Sequence, residues 1–331
     1  MTAAEPGWLD LRVPFDDAAR KHALPLLDEA AGSLATRALT VDTERPLVVI
    51  DVGAGTGNSM RWFDARLTER LRGRRVQWVL VDADEAALEV AADRFGTAVH
   101  TVAAPISSLP DIAAEALAAA SSAGNAGSGA DPRTASTVSP HPCELLITGS
   151  ALLDVLTRDD TAAIIETLHR FSGIGIFLLS IAGQWHLSPP HPDDEVIDEA
   201  FGRHQRRDSR LGTQAAPVLE AEACDIGARV ETSAAPWHLE APRDSEFLIR
   251  FLTERVDAAI EEDPGLREAG RSWLKERLNH VESRSDGQSG RTEGQAAGLR
   301  VVVDHTDVLI DATDHRGRAD RPAQPSGEPK R

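Results

Sequence analysis

Residues 47–60 read LVVIDVGAGTGNSM, and this stretch decides the fold. Apolar residues run up to Asp51, glycines alternate at positions 53, 55 and 57, and a helical pattern begins at Asn58. We therefore predict a buried strand, a glycine turn and a helix N-terminus. Glycines let a backbone turn sharply and approach a ligand without hindrance from Cβ atoms. The first N–H groups of the helix point toward that ligand.

The glycine spacing separates several cofactors that such a turn could bind. A dinucleotide-binding G-x-G-x-x-G motif needs a third glycine where this chain has Asn58, and a phosphate-binding loop needs a lysine that is missing here. Alternating glycines after Asp51 instead resemble the first motif of the class I methyltransferases, which use S-adenosylmethionine (SAM). SAM carries no phosphate, so it needs no lysine. Another nucleotide-binding strand–turn–helix remains the alternative for this motif taken alone.

A second acidic strand end supports the same resemblance. Asp82 closes the next apolar run, residues 76–81, where doubly wound folds place an acid that binds both ribose hydroxyls. Glu85, three residues later, leaves open that Asp82 is instead a helix N-cap. Two such motifs at matching strand ends favour a SAM-binding fold.

The alternation of apolar runs and helical patterns predicts the architecture. We expect an α/β protein whose largely parallel sheet is covered on both faces. The predicted strands cover residues 47–51, 76–81, 98–103, 143–148, 174–180, 228–232 and 299–310. Their order resembles the Rossmann-like seven-stranded class I methyltransferase sheet, which is mostly parallel with an antiparallel last strand, here with added helical lid elements.

Composition divides the chain into segments. Residues 1–44 are expected to form an N-terminal helical lid, irregular up to residue 14 and helical from Phe15. The SAM-dependent methyltransferase domain is expected over residues 45–312, and residues 313–331 are expected to be a disordered tail. Within the domain we expect a flexible insertion at 121–140, a proline-rich loop at 183–194, a helical insertion at 236–282 and a polar linker at 283–297.

The resemblance implies a cofactor site at the strand ends. The residues expected to contact SAM are Asp51, Gly53, Ala54, Gly55, Gly57, Asp82, Ala83, Ala104, Pro105, Thr148, Gly149 and Ser150. Residues 148–150 would border the transferred methyl group. After the third strand the family often has an acid that reads adenine, whereas this chain has Ala104 and Pro105. Backbone groups and apolar walls would then hold adenine.

No catalytic residue is assigned, and the acceptor site is less defined. His204 continues the apolar stripe of a predicted helix, so we expect it to face inward, either to orient a substrate or accept a proton, or as a core histidine. Asp154 follows the fourth strand and either acts as a base or stabilises a turn. The candidate substrate-binding residues are Arg12, Trp185, His204 and Arg207, the last for a carboxylate or phosphate.

Charge and composition argue against several other classes. The net charge of −18 argues against a nucleic-acid partner. No apolar run of ~18 residues suggests a membrane span, the N-terminus lacks a secretory pattern, and two cysteines are too few for a disulfide framework. We expect a cytoplasmic protein whose partner is a small-molecule acceptor. No metal site is expected, because the histidines and aspartates at 186–194 lack rigid ligand spacing.

Later segments narrow the resemblance. The stretches SALLD (150–154), AFGRHQRRD (200–208), PWHL (236–239) and VVVDHTDVL (301–309) are similar to a group of actinobacterial class I methyltransferases of small molecules. This resemblance implies SAM-dependent methyl transfer to a small metabolite, which could be anionic. The alternatives are a non-catalytic SAM-binding regulatory or partner protein and, more weakly, an NAD-type oxidoreductase.

Overall fold

The computed structural model describes residues 6–38, 46–71, 73–125, 144–282 and 298–313. Within these residues eight strands form one sheet in the order β3-β2-β1-β4-β5-β8-β6, and β7 pairs with β8. The strands are β1 (Leu47–Val52), β2 (Val76–Asp82), β3 (Val99–Ala103), β4 (Leu145–Ser150), β5 (Ile174–Ser188), β6 (Arg229–Ala234), β7 (Trp237–Glu240) and β8 (Arg300–Asp311). The helices are α1 (Pro6–Ala19), α2 (Leu24–Ala38), α3 (Asn58–Arg70), α4 (Glu85–Phe95), α5 (Leu109–Asn125), α6 (Arg158–Phe171), α7 (Asp194–Gln205), α8 (Ala215–Asp225), α9 (Ser245–Glu262) and α10 (Arg267–Glu282).

The first five strands are parallel, with β1 near the centre. β1 pairs with β2 and β4, β2 pairs with β3, and β4 pairs with β5. All six residues of β1 are buried, which explains its continuous apolar run. Because the carboxyl ends of parallel strands meet at one edge, the ends of β1, β2, β4 and β5 can contribute to a single ligand site.

The last strand distinguishes this sheet from other doubly wound sheets. β8 runs antiparallel to both β5 and β6 and lies between them. This strand order is that of the class I methyltransferase fold, and it confirms the fold class predicted from the sequence. The short strand β7 pairs with the first part of β8, so the insertion predicted as helical at 236–282 begins with a strand before α9.

β5 is longer than its sequence pattern predicts. The prediction ended this strand at residue 180 and placed a proline-rich loop at 183–194, but the strand continues to Ser188. The loop prediction is therefore wrong for residues 183–188. This part of β5 pairs with β8 after a register shift between Ile181 and Trp185. A local pattern could not show this pairing, because the partner strand lies far along the chain.

The N-terminal segment is helical from residue 6. The expectation of irregular chain up to residue 14 is wrong, because α1 begins at Pro6 and a short 3₁₀ turn at Arg20–Ala23 connects it to α2. Leu27 and Leu34 of α2 are buried in the same cluster as Leu47 of β1. The N-terminal helices therefore share the core of the sheet.

Apolar residues cover both faces of the sheet, as predicted. One buried cluster contains residues of α2, α3, α9 and α10, and the other contains residues of α5, α6 and α8. Among the described helices, none is long and apolar enough to cross a membrane. The predicted linker at 283–297, most of the insertion at 121–140 and all but the first residue of the predicted tail lie outside the described residues.

Candidate cofactor and acceptor site

The glycine turn connects β1 to α3. Gly53, Gly55 and Gly57 have φ values of 62°, 51° and 79°, a region that residues with a Cβ atom rarely adopt. A Cβ atom on Gly57 would also lie 2.5 Å from the Phe95 ring. Glycine at position 57 is thus required by backbone conformation and by close packing. It lets α3 begin at Asn58, so that the first N–H groups of the helix lie at the edge of the sheet.

Asp82 lies directly beside this turn. The N–H of Gly55 donates a 2.8 Å hydrogen bond to one carboxylate oxygen of Asp82, and the N–H of Asp84 donates a 2.9 Å bond to the other. The helix cap proposed as an alternative role for Asp82 belongs to Asp84, whose side chain accepts from the N–H groups of Ala86 and Ala87. Asp82 is half-buried at the end of β2, so its remaining lone pairs can accept hydrogen bonds from a ligand.

Asp51 has a different environment, because it is fully buried below the turn. Its carboxylate accepts hydrogen bonds from the hydroxyls of Ser59 at 2.5 Å and Thr148 at 2.8 Å. Burial raises the pKa of Asp51 to about 6, although these hydrogen bonds and the charge of Arg20 act in the opposite direction. Asp51 and Thr148 therefore connect β1, α3 and β4 beneath the site, where they hold the turn in place.

The other predicted cofactor residues lie around these two acids. The N–H of Ala104 donates to the Asp82 carbonyl at 3.0 Å, which places the end of β3 beside the end of β2. Ala83 and Pro105 are exposed at the same strand ends, and Ala54 is buried in the turn. Gly149 packs against β1, since a Cβ atom there would lie 3.3 Å from the carbonyl oxygen of Val52.

Arg20, which from the sequence could belong with Arg12 and Asp16 to a substrate lid or to an ordinary amphipathic helix, lies beside the end of β4. It is only 3% exposed, and its guanidinium donates to the Ser150 hydroxyl at 2.9 and 3.3 Å and to Asp17 at 3.2 Å. The short turn between α1 and α2 carries it to the end of β4. No motif marks this residue, because its role depends on how the N-terminal helices pack on the sheet.

These residues fit the adenosyl part of SAM. The turn carries no Cβ atoms at its three glycines and has no phosphate-binding lysine. Asp82 offers carboxylate lone pairs beside the turn, as a ribose diol requires. Leu152 packs so closely over Gly53 that a Cβ atom on the glycine would lie 2.5 Å from it, so Leu152 borders the turn from the side of β4.

Two adjoining cavities lie next to the end of β4 and the irregular part of β5, residues 179–185. The smaller, of about 180 Å³, is lined by Ala151, Asp154 and Leu179 among others, and the larger, of about 400 Å³, by Trp185 and Asp198. Ile181, Phe201 and Arg255 line both cavities. Of the four predicted substrate-binding residues, Arg12 lines the smaller cavity and Trp185 the larger one.

His204 and Arg207 lie outside both cavities. His204 faces α9, where its Nε2 lies 3.5 Å from a carboxylate oxygen of Glu261. The guanidinium of Arg207 donates to Glu261 at 2.5 Å and to Glu262 at 2.7 Å. His204 therefore faces inward, as the stripe of α7 predicts, but toward α9 and not toward either cavity.

The predicted loop with several histidines and aspartates also has a packing role. Asp194 binds the guanidinium of Arg277 and accepts from the Trp273 indole N–H at 2.8 Å, and His191 lies 3.2 Å from Glu276. Among the described residues, no group of three or more histidine, cysteine or acidic side chains is placed to hold a metal ion. These contacts attach the start of α7 to α10.

Arg255 is the residue that sequence reasoning missed and that dominates both cavities. Its guanidinium lies 4.2 Å from the ring centroids of Phe201 and Phe251 and 5.2 Å from that of Trp185. Burial lowers the pKa of Arg255 to about 10, so it remains a cation at neutral pH. Burial also raises the pKa of Asp198 to about 6, while the charge of Arg255 opposes that rise.

A neutral histidine completes the smaller cavity. Burial, reinforced by the charges of Arg12 and Arg255, lowers the pKa of His305 to about 3. Its Nδ1 lies 3.0 Å from the Val303 carbonyl oxygen, which assigns the proton to Nδ1 and leaves Nε2 as an acceptor. His305 thus provides a hydrogen-bond acceptor that stays uncharged across the physiological range.

Comparisons with known proteins give fold neighbours only. No family model matches this chain, and no curated protein matches it. Similar solved structures include the YcgJ protein from Bacillus subtilis, at 14% identity over 85% of this chain and 98% of the other, with a TM-score of 0.39. A putative sarcosine dimethylglycine methyltransferase from Galdieria sulphuraria matches at 10% identity over 89% and 88%, with a TM-score of 0.36.

A third neighbour was crystallised with the cofactor. Phosphoethanolamine N-methyltransferase 2 from Haemonchus contortus, in complex with SAM, matches at 13% identity over 84% of this chain, with a TM-score of 0.35. This chain covers about half (51%) of that protein. At such low identities and scores these likenesses do not define a site, and the methyltransferase fold rests on the strand order of this chain.

Proposed function

We propose that this chain is a SAM-dependent methyltransferase that acts on a small metabolite carrying an anionic group. The observation that supports this most directly is the hydrogen bond from the Gly55 N–H to Asp82. It joins a glycine turn without a phosphate-binding lysine to a carboxylate suited to ribose, at neighbouring strand ends of a class I methyltransferase sheet.

Each part of the site has a role in this proposal. Asp82 and the glycine turn would hold SAM, which supplies a methyl group already activated for displacement. The chain itself then acts mainly by positioning, because well-oriented reactants gain about 7–11 kcal/mol from proximity. The cavity residues Trp8, Phe201 and Trp237 exclude water, and Arg255 provides a cation for the anionic group of the acceptor.

Proton removal is needed only for an acceptor that is protonated when it reacts. Asp154 is better placed for that role than His204, because Asp154 lines the smaller cavity next to the end of β4. Burial raises the pKa of Asp154, which makes it a stronger base than an exposed aspartate.

Isothermal titration with SAM and with its demethylated product tests cofactor binding. We expect both to bind wild-type protein, and we expect Asp82→Asn to weaken binding at least tenfold. A folded protein that binds neither ligand would refute the proposal. Incubation with radiolabelled SAM and a cell metabolite extract then separates an enzyme from a protein that only binds SAM, since only the enzyme transfers label.

A further inference from the structure

The smaller cavity contains four charged side chains, and two of them already have partners. Arg12 forms a 2.9 Å ion pair with Asp16, and Glu254 forms a 2.7 Å ion pair with Arg250. Their charges are therefore balanced by the protein itself. The two that remain are Arg255 and Asp154.

Arg255 and Asp154 are both buried, and each lacks an ion-pair partner. Each is 8% exposed, and among the described residues neither lies within 4 Å of a side chain of opposite charge. They are close enough to attract each other but do not touch. Leaving a buried charge without a direct partner is unfavourable, so this arrangement suits a ligand that carries both charges and fits between them.

The surroundings of Arg255 leave its hydrogen-bond donors available. Aromatic rings attract a guanidinium through its face, whereas its five N–H donors lie in the plane and point outward. Phe201, Phe251 and Trp185 surround the group, and among the described residues its donors make no hydrogen bond. A carboxylate can accept two of them side by side.

Asp198 does not serve as the ion-pair partner that Arg255 lacks. It lines the larger cavity and is only half-buried, so it is less shielded from solvent than Asp154, although burial raises its pKa to about 6. Asp154 is more deeply buried, and the hydrogen bond to its carboxylate comes from its own backbone N–H. Arg255 thus faces both cavities, and the carboxylate beside it in the smaller cavity is the more deeply buried Asp154.

We propose that the smaller cavity binds the zwitterionic group of an α-amino acid or a similar small molecule, with the carboxylate on Arg255 and the ammonium group at Asp154. The cavity volume of about 180 Å³ equals that of roughly six water molecules at ~30 Å³ each, enough for such a head group. A side chain would extend along Phe201 and Ile181 into the larger cavity. The inference rests on the proposed function only where it treats this molecule as the methyl acceptor.

Binding by the full-length chain tests the proposal. The twenty common amino acids are titrated one by one, with and without the demethylated cofactor, and each that binds is compared with its deaminated acid and its decarboxylated amine. We expect at least one amino acid to bind, and both truncated compounds to bind at least tenfold more weakly. No binding by any amino acid, or equal binding by a truncated compound, would overturn the proposal.

Substitutions test whether Asp154 and Arg255 bind the two charged groups of the amino acid. Asp154→Asn preserves shape and removes the charge, and Arg255→Lys preserves the charge and removes the planar fork; each should weaken amino-acid binding at least tenfold. Glu254→Gln removes a carboxylate from the same cavity that is already paired, so it should change affinity less than twofold. An equal effect of Glu254→Gln and Asp154→Asn would contradict the assignment. If Arg255→Lys does not fold, amino-acid binding by Asp154→Asn, compared with Glu254→Gln, tests the assignment by itself.

The cofactor serves as a separate readout. Demethylated-cofactor binding should be unchanged in Asp154→Asn, which shows that the cofactor site is intact. If no form of the protein binds the cofactor while amino acids still bind, the proposed function fails and the zwitterion site stands. If the cofactor binds and no amino acid does, the zwitterion site fails and the proposed function stands.

Discussion

Asp307 accepts a hydrogen bond at the bulge in β5, and its replacement should change how the stability of the protein depends on pH. This buried carboxylate accepts a 2.8 Å hydrogen bond from the N–H of Leu179, while its second oxygen has no hydrogen-bond partner among the described residues. Leu179 has a φ of 58° and lies at the register shift between Phe177 and Ser180. Burial raises the pKa of Asp307 to about 7, with the Leu179 N–H acting in the opposite direction.

The raised pKa of Asp307 makes the stability of the protein depend on pH. Because the group binds a proton more tightly in the folded state, its contribution is fully present below pH 3.8 and is lost as pH rises toward 7. The loss amounts to about 1.4 kcal/mol for each pH unit well inside that window and tapers off near pH 7, hence about 2.3 kcal/mol between pH 5 and pH 7. Asp307→Asn does not titrate, so this loss is absent from the variant.

The variant also has a pH-independent penalty. Asparagine keeps an oxygen for the Leu179 N–H, but its amide N–H groups enter a buried position without a partner, which costs about 1–3 kcal/mol. At pH 5 the variant should therefore be less stable than the wild type. By pH 8 the difference in unfolding free energy between the wild type and the variant should be roughly 2–3 kcal/mol smaller than at pH 5.

Urea denaturation at pH 5, 6, 7 and 8 measures this difference. Asp311→Asn is the matched control on the same strand: burial favours a higher pKa for Asp311, but hydrogen bonds from Thr313 and Ser33 and the charge of Arg229 outweigh it and lower the pKa. Its carboxylate stabilises the fold above pH 3.8, so Asp311→Asn should destabilise the protein at neutral pH. Parallel pH profiles for the wild type and Asp307→Asn would refute the reasoning.

Three further predictions concern the turn, the ribose acid and the helical insertion. Gly57→Ala should lower stability by about 1–3 kcal/mol more than Gly73→Ala in thermal unfolding, because both have positive φ but only position 57 meets a ring; equal losses would contradict this. Asp82→Asn should weaken demethylated-cofactor binding at least tenfold in calorimetry, whereas Asp84→Ala should cost about 1 kcal/mol of stability as a lost helix cap and leave affinity intact. Arg277→Met should destabilise the protein by about 3–5 kcal/mol in urea denaturation, because it removes a buried guanidinium and leaves the Asp194 carboxylate without its ion-pair partner. A loss below 1 kcal/mol would show that this ion pair does not stabilise the fold.

The sequence predicted the fold class, the strand order and the acid beside the turn. The run into Asp51, the alternating glycines and the acidic end of β2 are local features, and each predicts its own backbone conformation. The structure adds that Asp51 is buried with Ser59 and Thr148, while Asp82 remains half-buried at the strand end. A pattern in the chain shows that an acid ends a strand, but not how far it is from solvent.

The acceptor side could not be predicted in the same way. His204 and Arg207 occupy a stretch with polar residues at suggestive positions, yet the packing of α7 on α9 pairs them with Glu261 and Glu262. Arg255 occupies an ordinary amphipathic helix, and only the three rings around it show that it is a buried cation. Its environment comes from segments far apart in the chain.

The chain by itself thus determined a class I methyltransferase sheet with a glycine turn suited to SAM, because turn chemistry and apolar periodicity are local properties. The tertiary structure alone decided which charges are buried without a partner. Arg12 and Glu254 find partners one turn away on their own helices, while Arg255 and Asp154 come from elements that meet only after folding. Charge pairing between remote segments depends on distances of a few ångströms, and those distances are set by the packing of α1 and α9 over the sheet.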